Sequence, residues 1–159
     1  MKTIRVKEEW QRAGVYYVRT QAMVLGFNLS LEGEFADDTP DGKYILVTDD
    51  HGKPLSTNRI HLLPERSLAK IERVATISTA RGLGAGAAGI LAAEDWFREL
   101  GYSHIVITSR EEAEGYYHKL GYITREDMNP DTLELKKPSD PVREVRDPRF
   151  VCVYMEKQL

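Results

Sequence analysis

The turn T79-A-R-G-L-G-A-G-A-A-G89 strips most side chains from eleven consecutive residues, with glycine at 82, 84, 86 and 89 and a lone cation at Arg81. Bare backbone is useful where something must approach it closely. Successive N–H groups of a glycine-rich turn can converge on an anion, and a following helix adds unpaired N–H groups and partial positive charge. Two phosphate cradles compete for this stretch. Gly84, Gly86 and Gly89 spell G-x-G-x-x-G, whereas Arg81, Gly84 and Gly86 spell R-x-x-G-x-G. The bland alternative is that small residues only let the next helix pack tightly on a sheet.

The elements around the turn decide between them. Residues 3–6 read as a strand. Residues 8–25 read as a helix, with Val15, Val18, Ala22 and Leu25 at three- and four-residue spacing. L31-E-G-E-F-A-D-D-T-P-D-G42 reads as a polar, turn-rich loop. K43-Y-I-L-V-T-D49 and P54-L-S-T-N-R-I-H-L62 flank Asp50-His51-Gly52-Lys53 as a hairpin. Residues 69–77 form a strand with Ala69, Ile71, Ala75 and Ile77 on one face, and Arg73 interrupts the alternation as the mark of an irregularity. After the glycines a helix runs to Leu100, with Ile90, Ala93, Phe97 and Leu100 as its stripe, Trp96 widening it and Gly101 as its stop. Residues 102–109 form a strand, residues 111–120 a short helix stopped by Gly121, and residues 122–127 and 149–157 the last two strands. Residues 129–148, with four prolines, read as an excursion and not an element. The order is that of a mixed α/β single domain, residues 1–159.

That order excludes the dinucleotide reading. Four residues, Ser78 to Arg81, separate strand from glycines, and the chain after Ser109 has no room for the rest of a doubly wound sheet. No Gly-Lys-Ser/Thr follows the glycines, so a Walker loop fails as well. A nucleotide-binding protein of another fold survives only under a different strand order. With 159 residues, net charge −3 and pI near 5.8, the chain has no basic footprint for nucleic acid. The lone Cys152 allows no internal disulfide, and His51, His61, His104 and His118 are scattered without metal-ligand spacing. No apolar run approaches membrane-spanning length, which makes a cytoplasmic protein the default expectation.

Arg81-Gly82-Leu83-Gly84-Ala85-Gly86 follows K70-I-E-R-V-A-T76, and A113-E-G-Y-Y-H-K-L-G-Y122 comes one helix and one strand later. With both in place the chain resembles the GNAT superfamily of acyl-CoA N-acyltransferases, and most of all its small stand-alone bacterial acetyltransferases. The resemblance implies a mostly antiparallel central sheet, splayed between its fourth and fifth strands, with flanking helices. It implies acetyl-CoA as cofactor, with the diphosphate on the N–H groups of Gly82, Leu83, Gly84, Ala85 and Gly86 beside Arg81. The pantetheine arm would bond to main chain at Val74, Ala75 and Thr76. It implies a primary amine as acceptor, whether small molecule or peptide, and a homodimer, as many relatives form. Transfer would be direct, in a ternary complex, since no motif for a covalent acyl-enzyme is present. The other reading on the same fold is a non-catalytic acyl-CoA-binding or regulatory module.

By the same resemblance Tyr117 is the general acid, because a phenol holds its proton at neutral pH and can give it to departing sulfur. Tyr116 points roughly 100° away along a helix and is expected in the core. Glu72, on the polar face of the cofactor strand, is the candidate base through water; a simple ion pair with a neighbouring Lys or Arg is the equal alternative. Lys70 stands where some relatives carry a carboxylate and Arg110 where many carry Asn, so another residue or water remains open as base. Cys152 reads as a small buried hydrophobe. Glu32, Glu34, Asp37, Asp38 and Asp41 crowd one loop that would either draw a cationic amine or simply be solvated. Tyr16, Tyr17 and Arg19 would line the acceptor mouth or pack.

Overall fold

The computed structural model describes residues 1–147 and 149–159. The chain divides into two compact units, Met1–Leu62 with Ile71–Gly101, and Leu63–Lys70 with Tyr102–Leu159.

In the first unit, β1 (Lys2–Arg5), β2 (Lys43–Thr48), β3 (Pro54–Leu63) and β4 (Leu68–Thr76) lie in that order, β4 crossing from the second unit into the first. β1 and β3 both run antiparallel to β2, with Lys2 opposite Thr48 and Lys43 opposite Ile60. The β2–β3 hairpin falls where its sequence places it: the Asp49 carboxylate accepts the N–H groups of His51 (2.8 Å) and Lys53 (2.9 Å), closing the turn. Along β3 and β4, Leu55 O meets Ile77 N at 3.0 Å and Arg59 reaches Glu72, so partners fall in number as β3 rises and the two strands are antiparallel.

Helix α1 (Glu9–Arg19) starts at a capping box, in which Gln11 Oε1 accepts the N–H groups of Lys7 and Glu8. The expected helix to Leu25 exists, but residues Thr20–Leu25 are wound as a wider π-helical turn. Val15 and Val18 are buried on its inner face, each worth about 1.5–3 kcal/mol relative to exposure. The loop expected at residues 31–42 begins as a helix instead, α2 (Leu31–Phe35), because Ser30 Oγ accepts the Gly33 N–H and caps it. Helix α3 (Ala85–Leu100) buries Ile90, Ala93 and Phe97 as its stripe predicts, but Leu100 is 44% exposed and stands outside it. Gly101, at φ +87°, ends the helix as expected.

In the second unit, β5 (His104–Arg110) runs antiparallel to β8 (Phe150–Gln158). β6 (Ile123–Thr124) and β7 (Glu144–Asp147) also pair antiparallel with β8. A single 3-10 turn, Glu111–Ala113, leads into α4 (Glu114–Lys119). Leu68, Val106, Leu133 and Tyr154 form the buried cluster of this unit. The proline-rich excursion corrects its expectation, since it contains β7; Pro148 lies outside the described residues. Its first turns are tied by Asn129, whose Oδ1 accepts from Asp131 N and Thr132 N while Nδ2 donates to Asp140. Among the described residues no helix is long and apolar enough to cross a membrane. Both units are mixed α/β with antiparallel strands and flanking helices, as the sequence implies.

Candidate active site

Three of the four glycines of the opening turn divide into two roles. Gly82 (φ +79°) and Gly84 (φ +83°) occupy the left-handed region, and a Cβ at either would meet open space. They are glycine for conformation, where an L side chain is strained by about 1–2 kcal/mol. Gly89 is the opposite case: a Cβ there would stand 3.2 Å from Asn58 Nδ2 and 3.3 Å from Val47 Cγ2, so it serves tight packing of α3 on the sheet. The packing explanation thus holds at Gly89 and not at Gly82 or Gly84.

Ser78–Ala80 make one 3-10 turn, Ala80 is buried, and Arg81 is exposed where the chain turns toward α3. Leu83 N donates to Ala80 O at 3.3 Å and Arg81 N to Ser78 O at 3.4 Å. At the start of α3, Ala88 N donates to Gly84 O at 3.0 Å. The N–H groups of Ala85 and Gly86 therefore belong to a first turn that has no preceding carbonyl to take them. A bare, outward-facing turn at a helix N-terminus with an arginine beside it fits a diphosphate. We expect Gly84→Val, which places a β-branched residue at φ +83°, to weaken coenzyme A binding at least tenfold by calorimetry, with Gly89 and the core untouched. Retained affinity would count against the cradle.

On β4 the interruption read from Arg73 is a residue at φ +51°. Beyond it, Ala75 O accepts from Ser56 Oγ (2.9 Å), and Ser56 Oγ also meets Thr76 Oγ1 at 2.8 Å. Main-chain groups alternate direction along a strand, so Val74 and Thr76 point theirs away from β3 while Ala75 faces it.

Glu72 does not stand free. Arg59 Nε donates to its Oε1 at 3.0 Å, and His61 Nδ1 lies 3.6 Å from the same oxygen. Arg59 is the hub of a larger network, reaching Asp37 at 2.9 Å and Asp38 at 3.0 Å. Arg19, 1% exposed, donates to Glu34 (3.0 Å) and to both oxygens of Asp38 (2.8 Å each), with its guanidinium over the Phe35 ring. Arg73 adds contacts to Asp37 and Glu34. Hydrogen bonds from Arg59 hold the Asp37 carboxyl far below its ordinary range. Burial works to raise Asp38, but hydrogen bonds from Arg19 and Tyr44 prevail and hold it low. Of the acidic loop, read as either drawing a cationic amine or simply solvated, Glu34 and Asp38 are committed inward to arginines, Asp37 meets Arg59 and Arg73 with its side chain still 55% exposed, and Glu32 and Asp41 are exposed. Tyr16 packs edge-on against Phe35 and Tyr44, Arg19 is core, and Tyr17 is exposed. The sequence reading missed Arg59 as the hub, although the alternation in T57-N-R-I-H61 places Arg59 and His61 on one face.

In the second unit the two tyrosines of α4 reverse part of their expectation. Tyr116 is 40% exposed, not core, whereas Tyr117 is 6% exposed. Tyr117 packs edge-to-face between Tyr116 (5.2 Å) and Tyr122 (6.2 Å). Burial, then the Tyr116 ring, push its phenol well above the ordinary value, with Arg110 opposing. Arg110 lies over the Phe150 ring at 5.6 Å. Cys152 is buried in β8, as expected, and burial raises its thiol.

The chain is similar to known proteins over most of its length. The model of the Acetyltransferase (GNAT) family matches residues 3–122. The uncharacterized N-acetyltransferase YjcF of Bacillus subtilis is 27% identical over 122 residues, covering 77% of this chain and 85% of that protein. A solved structure from Lactobacillus plantarum, provisionally named an N-acetyltransferase, is similar at 26% identity with a TM-score of 0.80, covering 99% of this chain and 97% of that one. An acyl-CoA N-acyltransferase from Pseudomonas aeruginosa shares the fold at 17% identity, TM-score 0.71, with 99% of both chains covered. The glycine-rich turn ahead of α3 and the tyrosine-bearing α4 both lie within those residues, and the chain belongs to the GNAT family of N-acetyltransferases.

Proposed function

We propose that this enzyme moves the acetyl group of acetyl-CoA to a primary amine by direct transfer in a ternary complex, the whole chain, residues 1–159, acting as one catalytic domain. The observation that carries the reading is the turn at Gly82 and Gly84, held open in the left-handed region at the start of α3. Arg81, Gly82, Leu83, Gly84, Ala85 and Gly86 hold the diphosphate, Arg81 by charge and the glycines and Ala85 by backbone. Leu83, its own N–H already in a turn bond, contributes by shape. Val74 and Thr76, with main-chain groups turned away from β3, offer them to the extended arm, and Ala75 between them holds this stretch of β4 to Ser56. When bound, the thioester supplies the activated acyl carbon. Tyr117 gives its proton to the leaving sulfur, and Glu72 supplies the negative charge toward which the amine proton moves.

Thermal-shift measurements with acetyl-CoA, coenzyme A, NAD and ATP test the cradle. A hundredfold excess over Kd of either coenzyme A form raises Tm by about 5 °C or more; a response to NAD or ATP alone overturns the reading. Thiol release with spermidine, kanamycin, free amino acids and peptides with free N-termini then identifies the acceptor. Release above the amine-free rate with one of these is the expected result.

A further inference from the structure

We propose that His61 is the group that takes the proton from the acceptor amine, with Glu72 as the positioning residue that orients and stabilises it; this rests on the acetyl-transfer reading above. The observation is the chain Arg59–Glu72–His61. Glu72 Oε1 receives Arg59 Nε at 3.0 Å and faces His61 Nδ1 at 3.6 Å. A carboxylate anchored to a buried guanidinium is a fixed negative charge, well placed to support a neighbouring imidazolium and poorly placed to carry a proton away. The Glu72 side chain is 19% exposed and that of His61 is 54% exposed. The imidazole therefore has one nitrogen on the carboxylate side and the other open to substrate and water.

The charges around the pair come from every element near it. Arg59 lies on the same strand as His61, and Glu72 and Arg73 lie on β4, where Lys70 stands two residues before Glu72. Asp37 and Asp38 follow α2 and meet Arg59. Tyr44 sits opposite Arg59 on β2, and Lys43 opposite Ile60. Histidine is the side chain whose charge ordinarily changes between pH 5 and 8, which suits a group that must be neutral to accept and must then release to solvent.

The proton ledger closes. The ammonium gives one N–H proton to the outward imidazole nitrogen, which leaves a lone pair on the amine. His61, now cationic against Glu72, passes that proton to water. The N–C bond forms as the C–S bond breaks, Tyr117 protonates sulfur, and the second N–H proton of the amine restores Tyr117. The sum is ammonium plus thioester giving amide, thiol and one free proton.

Two measurements decide it. The first is the ring nitrogen NMR spectrum of His61 in the coenzyme A complex, assigned with His61→Gln. Glu72→Gln should move the His61 Nδ1 resonance from its wild-type position, and an unmoved resonance overturns the pairing. The second is the pH profile of kcat/KM with whichever amine of the panel the wild type acetylates. His61→Gln should cost about a hundredfold at pH 7 and remove the acid limb, with coenzyme A affinity within twofold. An unaltered profile overturns the assignment of His61 while leaving the acetyl-transfer reading intact. A wild-type enzyme that acetylates no amine overturns that reading, and this inference with it.

Discussion

Tyr117→Phe is expected to lower kcat for acetyl transfer about a hundredfold or more while leaving coenzyme A affinity within twofold. Losing a general acid ordinarily costs 10²–10⁴ in rate. The ring itself is retained, so its edge-to-face contacts with Tyr116 at 5.2 Å and Tyr122 at 6.2 Å persist and the helix stays in place. Calorimetric binding and steady-state kinetics on the same preparation separate the two effects. Tyr116→Phe is the control, since that ring is 40% exposed against 6% for Tyr117 and its loss of hydroxyl should change kcat less than twofold. The pH dependence has a definite sign. Burial pushes the Tyr117 phenol upward, so the acid form persists through neutral and mildly alkaline solution and Tyr117 contributes no alkaline limb below about pH 10. Equal turnover in the variant would remove Tyr117 from its role.

Arg19→Met should destabilise the fold by about 3–5 kcal/mol, because it strands Glu34 and Asp38 without their main cation in a dry setting. For a chain of this size that is a fall in Tm of about 10 °C. Adding Glu34→Gln and Asp38→Asn to the same variant should recover part of the loss, since the cost lies in orphaned charge and not in missing volume. The acid limb follows from linkage. Asp37 and Asp38 are held below their ordinary values in the fold, so their stabilisation is present above about pH 4 and is lost as pH falls through the lowered folded values. Wild-type stability should drop on acidification below pH 4, and Arg19→Met should show a shallower drop. Urea melts at pH 7 and pH 3 give both numbers; a variant as stable as wild type at pH 7 would mean the network contributes little.

The network also bears on the acceptor. Glu34, Asp37 and Asp38 read in sequence as an acidic loop able to attract a cation, and in the fold they are bound to Arg19, Arg59 and Arg73. Negative charge left exposed on that segment lies at Glu32 and Asp41, and in part at Asp37, whose side chain is 55% exposed despite its arginine partners.

By itself the sequence determined what is local. The glycine-rich turn is contiguous, so R-x-x-G-x-G between a strand and an apolar-striped helix was legible in the chain, while the left-handed backbone at Gly82 and Gly84 is a finding of the fold. The broken alternation at Arg73 likewise announced a backbone irregularity, because side-chain period and backbone geometry are coupled within a strand. Only the tertiary structure decided what depends on distant partners. Glu72 acquires Arg59 from a strand thirteen residues away, and Arg19 acquires Asp38 across nineteen. Which of Tyr116 and Tyr117 is buried was fixed by what packs against α4, not by their adjacency. Ser30 turned part of an apparent loop into α2 with one hydrogen bond, and β7 formed in a proline-rich stretch because β8 offered it an edge. Pairings made across the fold leave no periodic trace in the chain, since each residue carries its type but not its neighbour.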